Sequence, residues 1–150
     1  MNSLEVEIRR QFEQFRAFGL PPTYWDGHTH LHMHPLIMRL TIPIAREHGF
    51  RFVRLVREPG PWALVPWIFE RLAHSAIPAL KEAGIEFADR VLGLRDTGMM
   101  TSQAFNRALT ACARGGASEI YFHPGAEVNP PSPEELADLL AGCIELPSAE

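Results

Sequence analysis

Asp26-Gly27-His28-Thr29-His30-Leu31-His32-Met33-His34-Pro35 is the stretch on which the reading of this chain turns. Four of the seven histidines lie within seven residues, at every second position, with an aspartate two residues ahead. Side chains of an extended strand alternate between its faces. A strand here therefore lines Asp26, His28, His30, His32 and His34 along one side. Imidazole binds a divalent metal as the neutral base, and a nearby carboxylate can ligate the ion or orient the ring. A polar strand face without a metal is the plainer alternative, and the Asp-x-His-x-His-x-His spacing favours the metal site.

Outward from this block the chain alternates helix and strand. Leu4, Ile8, Phe12, Phe15 and Phe18 recur at three- and four-residue spacing and predict a helix over 4–18. Asn2 or Ser3 caps it, and Gly19 with Pro21-Pro22 stops it. Tyr24–His30 reads as the first strand, and Pro35 opens a second helix through Glu47 that Gly49 ends. Phe52–Val56 is a second strand. A helical region over Leu64–Ala83 follows the Pro59-Gly60-Pro61 loop, interrupted or kinked at Pro66 and Pro78. Residues 87–94 read as a third strand, Thr101–Arg114 as a helix and Glu119–Phe122 as a fourth strand. Pro133 opens a last helix over Glu134–Leu140, and the tail from Pro147 should fray.

This order predicts an α/β fold with a mainly parallel sheet and flanking helices. Chemistry in such folds collects where strands end. His28 and His30 lie near the end of the first strand, Arg57 and Glu58 follow the second, Arg95 and Asp96 the third, and His123 the fourth. Four strands thus deliver polar residues to one predicted rim.

Composition narrows the function classes. The 150 residues suit one domain, with no repeat or interdomain linker. A net charge of −4 gives no basic footprint for nucleic acid and no polybasic membrane patch. The uncharged stretch near Trp62–Phe69 is too short and too proline-rich for a membrane span. Cys112 and Cys143 stand alone and indicate neither a disulfide framework nor a zinc ribbon. The charged first 20 residues do not read as a signal peptide. The expected setting is the cytoplasm.

The histidine block, then Val53-Arg54-Leu55-Val56-Arg57-Glu58-Pro59, then Tyr121-Phe122-His123-Pro124-Gly125, resembles the YdjC-like carbohydrate deacetylase family. Within it, the pattern is similar to the subgroup associated with hopanoid biosynthesis gene clusters. The resemblance runs from the first helix to the last. It implies a distorted (β/α) barrel that removes N-acetyl groups from amino sugars with a divalent metal, zinc or magnesium. It makes His28 a metal ligand. The family's other ligands are an aspartate from an Asp-Asp pair and a histidine from an early strand, and nothing before Asp26 matches either. Residues 1–150 are therefore expected to be a single domain, the C-terminal portion of such a barrel. The exposed edges of a partial barrel invite a second copy or a complementing N-terminal fragment.

Amide hydrolysis needs a proton delivered to the departing amine, which suits an imidazole such as His123 as general acid. A histidine fixed in a tight turn by Pro124 is its structural alternative. Of His30 and His32, one is expected near substrate or behind a ligand, and the other packed inside. Asp26 either orients an imidazole or is plainly structural. Arg57 and Glu58 pair with each other or bind sugar hydroxyls. Arg54 is expected beside a carboxylate, and His34 at a helix start. Trp62 and Trp67 are read as core or interface residues before sugar-stacking ones. Two rival functions stand: a metal-binding or assembly fragment without chemistry of its own, and an amidohydrolase-like metal hydrolase. Only His48, His74 and His123 follow the block to serve the latter.

Overall fold

A computed structural model describes residues 3–112, 115–123 and 131–141. The chain divides into two compact units, Met1–Arg90 and Val91–Glu150. The first contains helix α1 (Ser3–Ala17), strand β1 (Tyr24–Trp25), a 3-10 segment (His28–Met33), helix α2 (Pro35–Glu47), strand β2 (Phe52–Val53) and helix α3 (Leu64–Ala83). Strand β3 (Arg90–Leu92) crosses into the second, followed by helix α4 (Ser102–Cys112), strand β4 (Ser118–Ile120) and helix α5 (Pro133–Ala141). The expected alternation of helix and strand is present, with strands shorter than predicted. Among the described residues no barrel closes: β1 pairs with β2, and β3 with β4.

In the first unit β1 and β2 run parallel, Tyr24 opposite Phe52 and Trp25 opposite Val53. Glu86 bridges to the other side of Phe52, so β2 is flanked on both sides. Its continuation is the apolar centre: Val53, Leu55 and Val56 are fully buried, with Ile44 and Ala45 of α2 and Ala73 and Leu80 of α3. Ile8 and Phe12 of α1, one turn apart, also face inward. Phe12 meets the Phe50 ring edge-on at 4.8 Å. Phe18, predicted to extend that stripe, lies beyond the helix end and is 76% exposed.

Helix α3 runs over 20 residues without the interruption that was one of the two expectations, and Pro78 lies inside it. Pro66 lies in its first turn, where an N–H has no intrahelical partner to lose. Gly84, at φ 67°, ends the helix by donating its N–H to the Leu80 and Lys81 carbonyls.

In the second unit Met100, Ala104, Phe105 and Leu109 form a core that takes Ile120, Phe122 and Leu136. The Thr101 hydroxyl caps α4 by accepting from the Ala104 N–H at 3.2 Å. Ser132 and Glu135 make a reciprocal capping box at the start of α5, with bonds of 2.8 and 3.1 Å. Gly93 has φ 125°, and a Cβ there would stand 2.7 Å from the Tyr121 carbonyl oxygen. The expected positions Arg114, Pro124, Gly125 and Cys143, and the tail from Pro147, lie outside the described residues.

Candidate functional site

The histidine block is not a strand. β1 ends at Trp25, Gly27 is extended, and the chain then winds into the 3-10 segment. Inside that segment Thr29 (φ 52°, ψ 22°) and His30 (φ 60°, ψ 25°) adopt the left-handed conformation. The His30 N–H closes the turn on the Gly27 carbonyl at 2.8 Å. The two-residue alternation that predicted one histidine-lined face therefore fails, and each imidazole meets a different environment.

His28 is exposed at the turn beyond the C-terminal end of β1. His30 is half-buried, its ring edge-on to Phe69 of α3 at 5.5 Å and 6.2 Å from the His32 ring. His32 is only 4% exposed. The Gly27 N–H donates to its Nδ1 at 3.0 Å, while its Nε2 lies 2.7 Å from the Arg54 carbonyl oxygen. A ring nitrogen that accepts from an amide carries no proton, so Nε2 is the donor and the ring is the neutral Nε2–H tautomer. Burial, the largest cause, holds the His32 imidazole below its usual pKa. His34 caps α2, its Nδ1 accepting from the Leu36 N–H at 3.3 Å.

Arg54, just past β2, ties these pieces together. Its N–H bonds the Trp25 carbonyl at 3.2 Å and its carbonyl takes His32. Its guanidinium pairs with Asp26 at 2.5 Å. The carboxylate expected beside Arg54 is thus Asp26, which also accepts from the Tyr24 hydroxyl at 3.5 Å and bonds no imidazole. Arg57 pairs with Glu70 of α3 at 3.4 Å. Glu58 is buried, 8% exposed. Trp62 and Trp67, read as core or interface residues, are 80% and 50% exposed and so do not belong to the core. With Leu64, Val65 and Ile68 they make the start of α3 and the residues just before it an apolar solvent-facing surface.

In the second unit His123 follows β4, half-buried, its ring edge-on to Tyr121 at 5.5 Å. Asp96 is held by Arg107 at 2.9 Å. A hollow of about 560 Å³ between α2 and α3 is lined by residues such as Arg46, Glu47 and Glu82 and contains no histidine.

Among the described residues, no three of His, Cys, Asp and Glu are grouped as the ligands of one ion. His28 fits the part of a single ligand, since it is exposed at a strand end. His32 does not, since a metal on either nitrogen breaks a backbone bond. Sequence reasoning passed over Gly27. A Cβ there would lie 3.0 Å from the His32 backbone nitrogen and 3.1 Å from its ring. A glycine wedged between an aspartate and a histidine was the available signal.

A parallel strand pair with a polar turn at its C-terminal end, backed by helices, is an α/β-like arrangement, the class in which ligands bind at strand ends. The chain belongs to the YdjC-like protein family, whose profile matches residues 1–143. It is similar to the carbohydrate deacetylase of Mus musculus, with 31% identity over 160 aligned residues covering 95% of this chain and 49% of the mouse protein. The carbohydrate deacetylase of Homo sapiens gives 29% identity over 160 residues, covering 95% and 47%. A stretch of 48 residues is 48% identical to the chitooligosaccharide deacetylase of Yersinia pestis (strain Pestoides F), covering 31% of this chain and 19% of that protein. The chain spans about half the length of the mouse and human relatives. No solved structure gives a significant match.

Proposed function

We propose that this chain is part of a metal-dependent hydrolase that removes N-acetyl groups from a small amino-sugar substrate. The match across nearly the whole chain to proteins named as carbohydrate deacetylases carries the reading. The exposed imidazole of His28 at the end of β1 supports it. In this reading residues 1–150 are one portion of a partial, distorted (β/α) barrel, working in the cytoplasm in the hopanoid-associated subgroup. Its remaining ligands and its base come from an N-terminal segment, a complementing fragment or a second copy. The half-length coverage of the relatives supports that part.

His28 would hold the ion, zinc or magnesium. A divalent metal supplies a polarised acetyl carbonyl and a water of lowered pKa. Water adds to that carbonyl, the C–N bond breaks, and the products are acetate and a free amine. His123 delivers the proton that the departing nitrogen needs. Arg57 contacts the sugar, the buried Glu58 stands behind it, and Trp62 offers it a flat apolar face. His30 stands behind the ligand.

The test is acetate release from N-acetylglucosamine or chitobiose with added Zn²⁺ or Mg²⁺. The reading expects release that His28→Ala abolishes. A second reading, a metal-binding or assembly fragment, is favoured by the lack of a three-ligand group among the described residues. Metal uptake without acetate release would select it.

A further inference from the structure

We propose that His32 is a positioning residue, a strut that fixes the backbone from which His28 projects. The proposal rests on the reading of His28 as the metal ligand. Both nitrogens of the His32 ring are engaged with backbone, one on each side. The bond to Gly27 spans five residues and is therefore a chord across the turn that contains His28, Thr29 and His30. Those last two residues hold a conformation that side-chain-bearing residues avoid, and Thr29 is β-branched besides. A backbone so placed persists only when its surroundings over-determine it.

The other end of the strut is anchored on Arg54, which also fixes β1 through its N–H and Asp26 through its guanidinium. Strand end, aspartate and turn are thus referred to one residue of the neighbouring strand. Gly27 leaves the space the ring needs, since a Cβ would crowd it at 3.1 Å. A histidine that merely fills space beside Trp25 would need none of these bonds, and an apolar ring would serve equally well.

Three substitutions separate the two bonds. His32→Phe keeps the ring's bulk and loses both. His32→Asn keeps an acceptor near Gly27, and His32→Gln keeps a donor toward Arg54. Calorimetric titration of the whole chain with Zn²⁺ should show affinity 10- to 100-fold weaker in His32→Phe, the range for groups that orient a ligand. Asn and Gln should recover part of it. His28→Ala is the control for the ligand itself. Uptake unchanged in His28→Ala would overturn the reading of His28. Uptake lost in His28→Ala but unchanged in His32→Phe would overturn only the strut. Should the Phe variant fail to fold, two measurements still decide. Long-range ¹⁵N NMR of the unaltered protein should show the His32 proton on Nε2, and a proton on Nδ1 overturns the proposal. Gly27→Ala should weaken Zn²⁺ uptake, and unchanged uptake counts against it.

Discussion

Gly27 and Gly93 stand at matching places in the two units, each just beyond a short strand, and each is crowded where a side chain would begin. They are crowded by different things. At Gly93 the obstacle is the Tyr121 carbonyl oxygen, 2.7 Å from a Cβ, and the residue sits at φ 125°. At Gly27 the obstacle is His32, and the backbone is ordinary extended chain at φ −130°. One turn is set by backbone against backbone. The other is crowded less tightly, by the His32 backbone nitrogen at 3.0 Å and its ring at 3.1 Å, and is tied by hydrogen bonds passed through that ring.

The sharpest way to break this comparison is to add a methyl group at both positions. Gly93→Ala should destabilise the chain by about 3 kcal/mol, from strain at positive φ and overpacking together. Gly27→Ala should cost less, roughly 1–2 kcal/mol, because only a side chain and a short backbone shift must give. Urea unfolding of both variants measures the difference, and equal losses would erase the distinction.

The next effect is a dependence on pH. Burial holds the His32 pKa below the usual 6.5, so the unfolded chain takes up that proton at a higher pH than the folded one. The stability contributed by the neutral ring is complete above about 6.5 and is lost as pH falls below it. The bond to the Arg54 carbonyl and the Asp26 charge act against this shift, the Arg54 guanidinium charge acts with it, and the His30 ring faces His32 as well. Urea midpoints measured from pH 8 to pH 5 should fall more steeply for the unaltered chain than for His32→Asn. Parallel curves would show that the ring is not held neutral.

The smallest effects on stability belong to exposed residues. His28→Ala and Trp62→Ala should each change unfolding by no more than about 0.5 kcal/mol. Their effects on binding should differ. His28→Ala removes metal uptake, while Trp62→Ala leaves it and weakens chitobiose binding about 2- to 10-fold, the worth of one stacked ring. A stability loss above 1 kcal/mol in either would mean that the side chain is packed rather than presented.

The helices were legible because their signals are local. Ile8 and Phe12 sit one turn apart, Pro35 suits a first helical position, and Thr101 caps α4, so each signal lies within a few residues of what it specifies. The order of the strands followed from the same periodicities. The shape of the candidate site did not, because alternation at His28, His30 and His32 is compatible with a strand until something bends it. The bond that holds the His32 ring in the bent segment reaches the Arg54 carbonyl, 22 residues away. No short-range pattern reports such a partner. Residue types were read more securely than their duties. Arg54 was expected beside a carboxylate, which proved to be Asp26, while Asp26 itself was read either as orienting a ring or as plainly structural. Trp62 shows the opposite limit, since a large aromatic residue normally argues for burial, yet here it stands in solvent.

The most direct test follows the imidazole resonances of the whole chain by NMR while Zn²⁺ is added at constant pH. The His28 ring should shift first and saturate, with the His32 ring signals unmoved and its proton still on Nε2. A His32 ring that responds together with His28, or ahead of it, would contradict the account.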